Sequence, residues 1–329
     1  MRRILTEFLG ALLACAGFAV QGQVIRMESS SAVLPLSQAI VAEFRQTAGA
    51  GKAVAIRESG TAEALRRLCA GESELAAVSR PILRAELARC AAAGTAFVEL
   101  PVAFDAVVVV VNPRNTFVAS LSVPELRAIW GEGAQAKLRH WKDLNPGYPA
   151  LPLKLYAPDA RAESGGYFNE AILGAGKEPR RDVTVSADDN VLARAIARDQ
   201  NALGYVSLSH YASEQRRLRA VPITAAAGAP AVAPTLQNLA SGAYQPLSRP
   251  LFLYVNAKAL EKPGVGALAE FYLKRSPGTA RDLNYAPLTE RSYLLAIERL
   301  HKRIAGSSWN GTVPVGLTVE TMQRHLSTL

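Results

Sequence analysis

Residues 53–68 read Ala53-Val54-Ala55-Ile56-Arg57-Glu58-Ser59-Gly60-Thr61-Ala62-Glu63-Ala64-Leu65-Arg66-Arg67-Leu68, and their three parts decide the fold. The apolar, β-branched run 53–56 predicts a short strand. Glu58-Ser59-Gly60-Thr61 predicts a turn, and Ala64, Leu65 and Leu68 recur behind it at helical spacing. The same succession stands on either side. Upstream, the apolar run 24–27 ends in Glu28-Ser29-Ser30-Ser31, after which Leu36, Ile40, Val41 and Phe44 mark a helix. Downstream, a strand over 75–78 ends at Ser79-Arg80-Pro81 before a helix over 84–93. Three successive units of strand, hydroxyl-rich turn and helix imply an α/β sheet with right-handed crossovers.

Further along, strands are expected over 97–102 and 106–111, the second a Val run suited to burial on both faces. Helices are expected over 124–130, 167–173 and 191–198, with strands over 153–157, 203–207 and 221–223. The Ala/Pro/Gly-rich stretch 224–234 reads as a loop. A strand over 250–255 and helices over 266–274 and 293–305 complete the pattern, and residues after Gly306 read as loosely ordered. No internal repeat of fixed period is evident.

The chain has 329 residues, 49% hydrophobic and 20% charged, enough for two domains or one large one. That composition excludes disorder, and 3 Cys exclude a disulfide scaffold. Aromatics at 7% weigh against stacking platforms for sugars or single-stranded nucleic acid. The net charge of +9 favours an anionic partner. Its basic residues fall in short groups, Arg66-Arg67, Arg180-Arg181 and Arg216-Arg217, which read as solvated helix faces and not as a nucleic-acid stripe. No nucleic-acid partner is expected.

Residues 1–22 begin Met1-Arg2-Arg3, run apolar from Ile4 to Val20 and end at Gly22, the pattern of a secretory signal peptide. Two alternatives are lipoprotein processing at Leu12-Leu13-Ala14-Cys15 and an uncleaved anchor. Without this segment 35 basic and 27 acidic residues remain, a net +8. Export places the protein in the periplasm or outside the cell. In an oxidising compartment Cys69 and Cys90, twenty-one residues apart, read as a disulfide, with two buried thiols as the alternative. Four His without spaced partners give no metal site, and no cofactor is expected.

Turns that follow parallel strands lie at the carboxyl edge of a sheet, where open α/β folds bind ligands. Each turn here also opens a helix, so free N–H groups and the positive end of the dipole face outward and suit an oxyanion. Ser and Thr hydroxyls add donors, and Arg80 or Arg161 could add a planar fork. A single such turn is more often an N-cap; three in succession argue for a site.

From Ile25 to Leu295 the chain resembles the PstS family of periplasmic phosphate-binding proteins of ABC transporters. The resemblance is carried by Ser29-Ser30-Ser31-Ala32-Val33-Leu34-Pro35-Leu36, Ser59-Gly60-Thr61-Ala62, Leu68-Cys69-Ala70-Gly71-Glu72 and Ser79-Arg80-Pro81-Ile82. It continues through Glu99-Leu100-Pro101-Val102-Ala103-Phe104-Asp105, Asn112-Pro113, Ile129-Trp130, Trp141, Asp189-Asn190, Ala202-Leu203-Gly204-Tyr205 and Tyr244-Gln245-Pro246-Leu247-Ser248-Arg249-Pro250-Leu251. It implies a type II, two-lobed α/β fold, each lobe a mostly parallel sheet flanked by helices, with the ligand cleft between lobes. One lobe would comprise residues 24–108 with about 248–320, the other about 109–247. The resemblance further implies a monomer that serves a membrane ABC permease, without catalytic residues. Carried over by position, the ligand would meet Ser30, Ser31, Ser59, Gly60, Thr61, Ser79 and Arg80, then Arg161, Glu163, Ser164 and Gly165 from the other lobe. Glu163 is the best-placed acceptor for the proton of hydrogen phosphate, with Glu28 and Glu58 behind it.

The fourth turn departs from the family, which usually has Ser-Gly-Thr after an Asp or Arg. Here Asp159-Ala160-Arg161-Ala162-Glu163-Ser164-Gly165-Gly166 lacks the Thr, and Ala32 stands where the first turn tends to have Thr. Two hydroxyl donors are missing by this reading. The resemblance implies phosphate or a related oxyanion as the ligand, and the two missing donors favour the alternative, a binder or sensor of a different anion or phosphorylated metabolite that has lost phosphate affinity. A phosphoester hydrolase is a second alternative that no Gly-x-Ser-x-Gly or Gly-x-x-x-x-Gly-Lys-Ser/Thr motif supports.

Overall fold

The computed structural model describes residues 24–47, 53–226, 228–312 and 315–327. The expected signal segment 1–22, with Cys15, lies outside the described residues.

Three strand–turn–helix units open the first lobe as the periodicity expects. They are β1 (Ile25–Ser29) with α1 (Leu34–Gln46), β2 (Val54–Glu58) with α2 (Thr61–Cys69), and β3 (Leu75–Val78) with α3 (Arg84–Ala92). β1 pairs in parallel with β2 and β3 on its two sides. That order brings the three turns together at one sheet edge. A disulfide between Cys69 and Cys90 ties the end of α2 to α3.

The two strands expected over 97–111 are one, β4 (Phe97–Val111), with every residue buried. Pro101 does not break it because the ladder slips there. Leu251 faces Ala103 and Phe252 faces Pro101, so Val102 is left over as a bulge where the missing N–H of proline costs little. Up to Ala106, β4 pairs antiparallel with a later strand (Ser248–Asn256) that also flanks β3. From Val107 it pairs with strands of the other lobe. One strand thus belongs to both sheets.

The second lobe follows with β5 (Leu121–Ser122), α4 (Val123–Trp130), α5 (Trp141–Leu144), β6 (Lys154–Pro158), α6 (Glu163–Leu173), β7 (Thr184–Ser186) and α7 (Asp189–Arg198). Then come β8 (Ala202–Ser207), α8 (Leu208–Glu214), β9 (Arg219–Ala220), β10 (Ile223–Thr224) and α9 (Leu236–Ala240). β6 lies between β7 and β8 in parallel, and β8 meets β4 antiparallel. Trp130, Phe168 and Tyr205 fill the core between sheet and helices, with Phe168 and Tyr205 stacked at 3.8 Å.

The chain returns to the first lobe through β11 (Ser248–Asn256), α10 (Val265–Asp282), α11 (Glu290–His301) and α12 (Val319–Ser327). α10 runs eight residues beyond the expected end, through Pro277. Burial outweighs the missing rung: Ser276 and Ala280 are fully buried, and the Ser276 hydroxyl donates to the Tyr272 carbonyl. The residues after Gly306 also differ from expectation. The Ser307 hydroxyl and Ser308 N–H donate to the buried Glu99 carboxylate, and Trp309, Leu317, Val319 and Met322 are buried. Burial pushes the Glu99 carboxyl up, and these donors together with Tyr254 partly offset that penalty.

Glu74 makes a testable contribution to acid stability. Its buried carboxylate joins Arg26 of β1 and Lys262 at 2.8 and 2.7 Å. Burial raises its pKa, but the hydrogen bonds from Arg26 and Lys262 prevail and hold it at about 2, below the ordinary 4.5. The stabilisation is therefore complete above about pH 5 and is lost as pH falls towards 2. Urea titrations of Glu74→Gln should show a loss of about 2–3 kcal/mol at pH 7 that shrinks towards pH 2. A loss equal at both pH values would contradict this assignment.

Candidate functional site

The cleft is built from helix starts. Gly60 takes φ +73 as the N-cap of α2, a conformation that a residue with a Cβ rarely adopts, and so turns the chain to aim the Thr61 N–H outward. At α1 the N–H of Ala32 points the same way. On the opposite lobe α6 begins four residues earlier than the sequence suggests, which corrects the expected polar turn: Glu163, Ser164, Gly165 and Gly166 form the first turn of the helix. Gly165 is required there, because a Cβ would lie 2.2 Å from the Asp159 carbonyl oxygen.

Glu163 reaches across the cleft. Its Oε2 accepts from the Ala32 N–H at 3.0 Å, and its Oε1 accepts from the Thr61 N–H at 3.1 Å and the Thr61 hydroxyl at 2.7 Å. With its proton spent on Glu163, the Thr61 oxygen accepts from the Ser79 N–H at 3.2 Å and lies 3.1 Å from the Ser79 hydroxyl. The carboxylate oxygen pair thus sits on the N-terminus of α2 and on the turn that leads into α1, positions that favour an anion. The buried Ser30 and Ser59 hydroxyls flank these donors without a hydrogen-bond partner.

Behind Glu163 lies a buried ion pair. Arg249 donates through Nε and Nη2 to Asp105 Oδ2 at 3.2 and 3.0 Å, and through Nη1 to the Glu163 carbonyl at 3.0 Å. The two residues face each other across β11 and β4, the strands that join the lobes. Their side chains are 3% and 2% exposed. Burial pushes the Asp105 carboxyl up despite the guanidinium beside it. Arg249 also stacks over Tyr167, 5.3 Å from the ring centroid, and the Tyr285 hydroxyl donates to the Ala32 carbonyl.

Two cavities flank Glu163. One, of about 480 Å³, is lined by Ser59, Gly60, Thr61, Ser79, Arg80, Arg161 and Tyr167 among others. The other, of about 390 Å³, holds Ser31, Ser164, Asp105 and Asp189. The expected residues are therefore gathered round one cleft but not in one shell. Ser30 is buried beneath the start of α1, and Gly165 packs inside α6. Arg80 is locked in a two-pronged pair with Glu86, 2.8 Å on each side, and Arg161 is 92% exposed and paired with Asp159. Glu28 is engaged by Arg57. Among the described residues no group of three or more His, Cys, Asp or Glu could hold a metal ion.

Residues 16–276 match the family described as the PBP superfamily domain. The chain belongs to this superfamily, on its PstS-like branch. Protein SphX of Synechococcus elongatus is 36% identical over 302 residues, 92% of this chain and 88% of its own. The phosphate-binding protein PstS of Staphylococcus saprophyticus is 27% identical over 270 residues, 82% of each chain. A crystal structure described as a possible phosphate binding protein from Planctomyces limnophilus superposes with a TM-score of 0.69 at 33% identity, over 85% of this chain and 98% of that one. The ABC-type phosphate transport receptor of Vibrio cholerae shares the fold, with a TM-score of 0.64 at 19% identity over 79% and 98%. The solved neighbours are two-lobed binding proteins, the fold that the sequence resemblance implies for this PBP chain.

Arg249 and Asp105 are the site residues that sequence reasoning passes over, although both lie in stretches that carry the resemblance. The signal was present. Each is a charged residue that directly precedes an apolar run, Arg249 before Pro250-Leu251-Phe252 and Asp105 before Ala106 and the Val run. A charge in a fully buried strand needs a partner, and each is the other's.

Proposed function

We propose that this protein captures inorganic phosphate between its lobes and delivers it to a membrane ABC permease as a non-enzymatic, monomeric receptor outside the cytoplasmic membrane. The observation that carries this reading is the oxyanion already seated in the cleft. The Glu163 carboxylate is held by the Ala32 N–H and by both donors of Thr61. A site that coordinates a carboxylate through helix N-termini offers the same donors to phosphate. The names of the PstS relative and of the solved neighbours point to phosphate as the anion. Export rests on the basic and apolar segment 1–22, in keeping with a disulfide.

Residues 24–108 with about 248–320 are proposed to move as one lobe and about 109–247 as the other, hinged on β4 and β11. Ser31, Ser59, Gly60, Thr61 and Ser79 supply the first-lobe wall, with Ser30 buried beneath it. Arg161, Glu163 and Ser164 supply the second, with Gly165 packed behind them in α6 and Arg80 held at the rim by Glu86. Isothermal calorimetry on the purified mature chain tests the reading with phosphate, sulfate, molybdate and a simple phosphate monoester. Saturable one-to-one phosphate binding tighter than the other three is expected. Tighter binding of the monoester would assign the cleft to phosphorylated metabolites instead.

A further inference from the structure

Glu163 takes the place that a bound oxyanion would fill, and it comes from the opposite lobe. Its three donors belong to the starts of α1 and α2, whereas Glu163 itself opens α6. Its backbone is fixed by the bond from Arg249 to its carbonyl, so only the side chain is free to swing. Space for that swing exists on both sides, in cavities of about 480 and 390 Å³. A further group points to a ligand larger than a carboxylate. The Ser59 hydroxyl, at the turn that opens α2, lines the larger cavity and lacks a hydrogen-bond partner, a donor that a two-oxygen carboxylate leaves unused and a four-oxygen anion could reach.

We infer that Glu163 is an internal competitor for the anion site. Its carboxylate latches the lobes together when the cleft is empty of ligand, and a tetrahedral oxyanion binds only by displacing it. This inference rests on the anion-receptor reading of the cleft. Two negative groups sharing the same donors repel strongly in a partly buried site, so carboxylate and ligand cannot both occupy it. The consequence is a raised affinity threshold. If the latched form outweighs the open one tenfold, the apparent dissociation constant is raised by about the same factor. Glu163 thereby helps decide which anions are captured, since a weakly coordinating one does not displace it.

The experiment compares the wild-type mature chain with Glu163→Ala and Glu163→Gln, titrated calorimetrically with inorganic phosphate and with sulfate. Small-angle scattering of each protein is recorded with and without phosphate. The Gln variant keeps the shape of the side chain and guards against a folding defect in the Ala variant. Both variants should bind phosphate about tenfold or more tightly than wild type. Without ligand, Glu163→Ala should be more extended than wild type and should contract on adding phosphate. Phosphate binding by the variants alone would support the latch in its strongest form. Binding by wild type that is unchanged or weaker in both variants overturns the latch and leaves the phosphate reading standing. Weaker phosphate with unchanged sulfate would make Glu163 the acceptor of the ligand's proton, which also overturns it. No anion binding by any of the three proteins overturns both readings.

Discussion

Replacing Arg249 with Met should destabilise the protein by about 3–5 kcal/mol in urea titrations at neutral pH. The change leaves the Asp105 carboxylate buried at 2% exposure, with Oδ1 already lacking a hydrogen-bond partner and Oδ2 now stripped of both guanidinium donors. It also removes the bond to the Glu163 carbonyl and the stack on Tyr167, so α6 keeps only the Tyr167 hydroxyl bonds to the Pro246 and Ser248 carbonyls as its tie to β11. The pH dependence has a definite sign. Burial pushes the Asp105 carboxyl up, and without Arg249 only the Ala106 N–H still opposes that shift. The variant should therefore regain stability as pH falls and the carboxyl takes up its proton. Asp105→Asn combined with Arg249→Met should recover most of the loss, because no unpaired charge remains. A deficit below about 1 kcal/mol in the single variant would place the pair with exposed ion pairs and contradict the role assigned to it.

Thr61→Val in the Glu163→Ala protein should lower phosphate affinity by about ten- to a hundredfold, the cost of one hydrogen bond to a charged group. Valine keeps the shape of the 8%-exposed threonine but removes the hydroxyl, which now donates to Glu163 and accepts from Ser79. The background matters. In the wild-type chain the hydroxyl holds both the ligand and its competitor, so its removal weakens both and the net loss should be smaller. Calorimetry on the two pairs of proteins measures that difference. Equal losses in both backgrounds would mean that Glu163 does not compete, and no loss in either would remove Thr61 from the site.

Local chemistry accounts for what could be read in the chain. A strand of about five residues, a turn with Gly60 at positive φ, and an amphipathic helix are each written within a short window, so the three units of the first lobe and their shared edge were legible. The pairing of Cys69 with Cys90 was legible from compartment and count. Where short-range rules failed, burial had overruled them. Pro277 looks like a stop, yet α10 continues because Ser276 and Ala280 sit in the core. The chain after Gly306 looks loose, yet it is held by a buried carboxylate at Glu99 that lies more than two hundred residues away. The start of α6 was misplaced because Ser-Gly-Gly reads as a turn, whereas Gly165 is demanded by the Asp159 carbonyl pressed against it.

The sequence by itself determined that this is an α/β binding protein of the PBP type, with hydroxyl-rich helix starts suited to an oxyanion. It also named Glu163 as the acid of interest. Only the tertiary structure decided what that acid touches. Helix N-termini advertise themselves locally, through Ser, Thr and Gly at fixed offsets. The partner that fills them is chosen by which residue the opposite lobe brings within 3 Å, and Glu163 lies 102 residues from Thr61 and 131 from Ala32. The same holds for Asp105 and Arg249, 144 residues apart and paired only because β4 and β11 run side by side. Electrostatic contacts of that kind depend on distance in space, which no local pattern encodes.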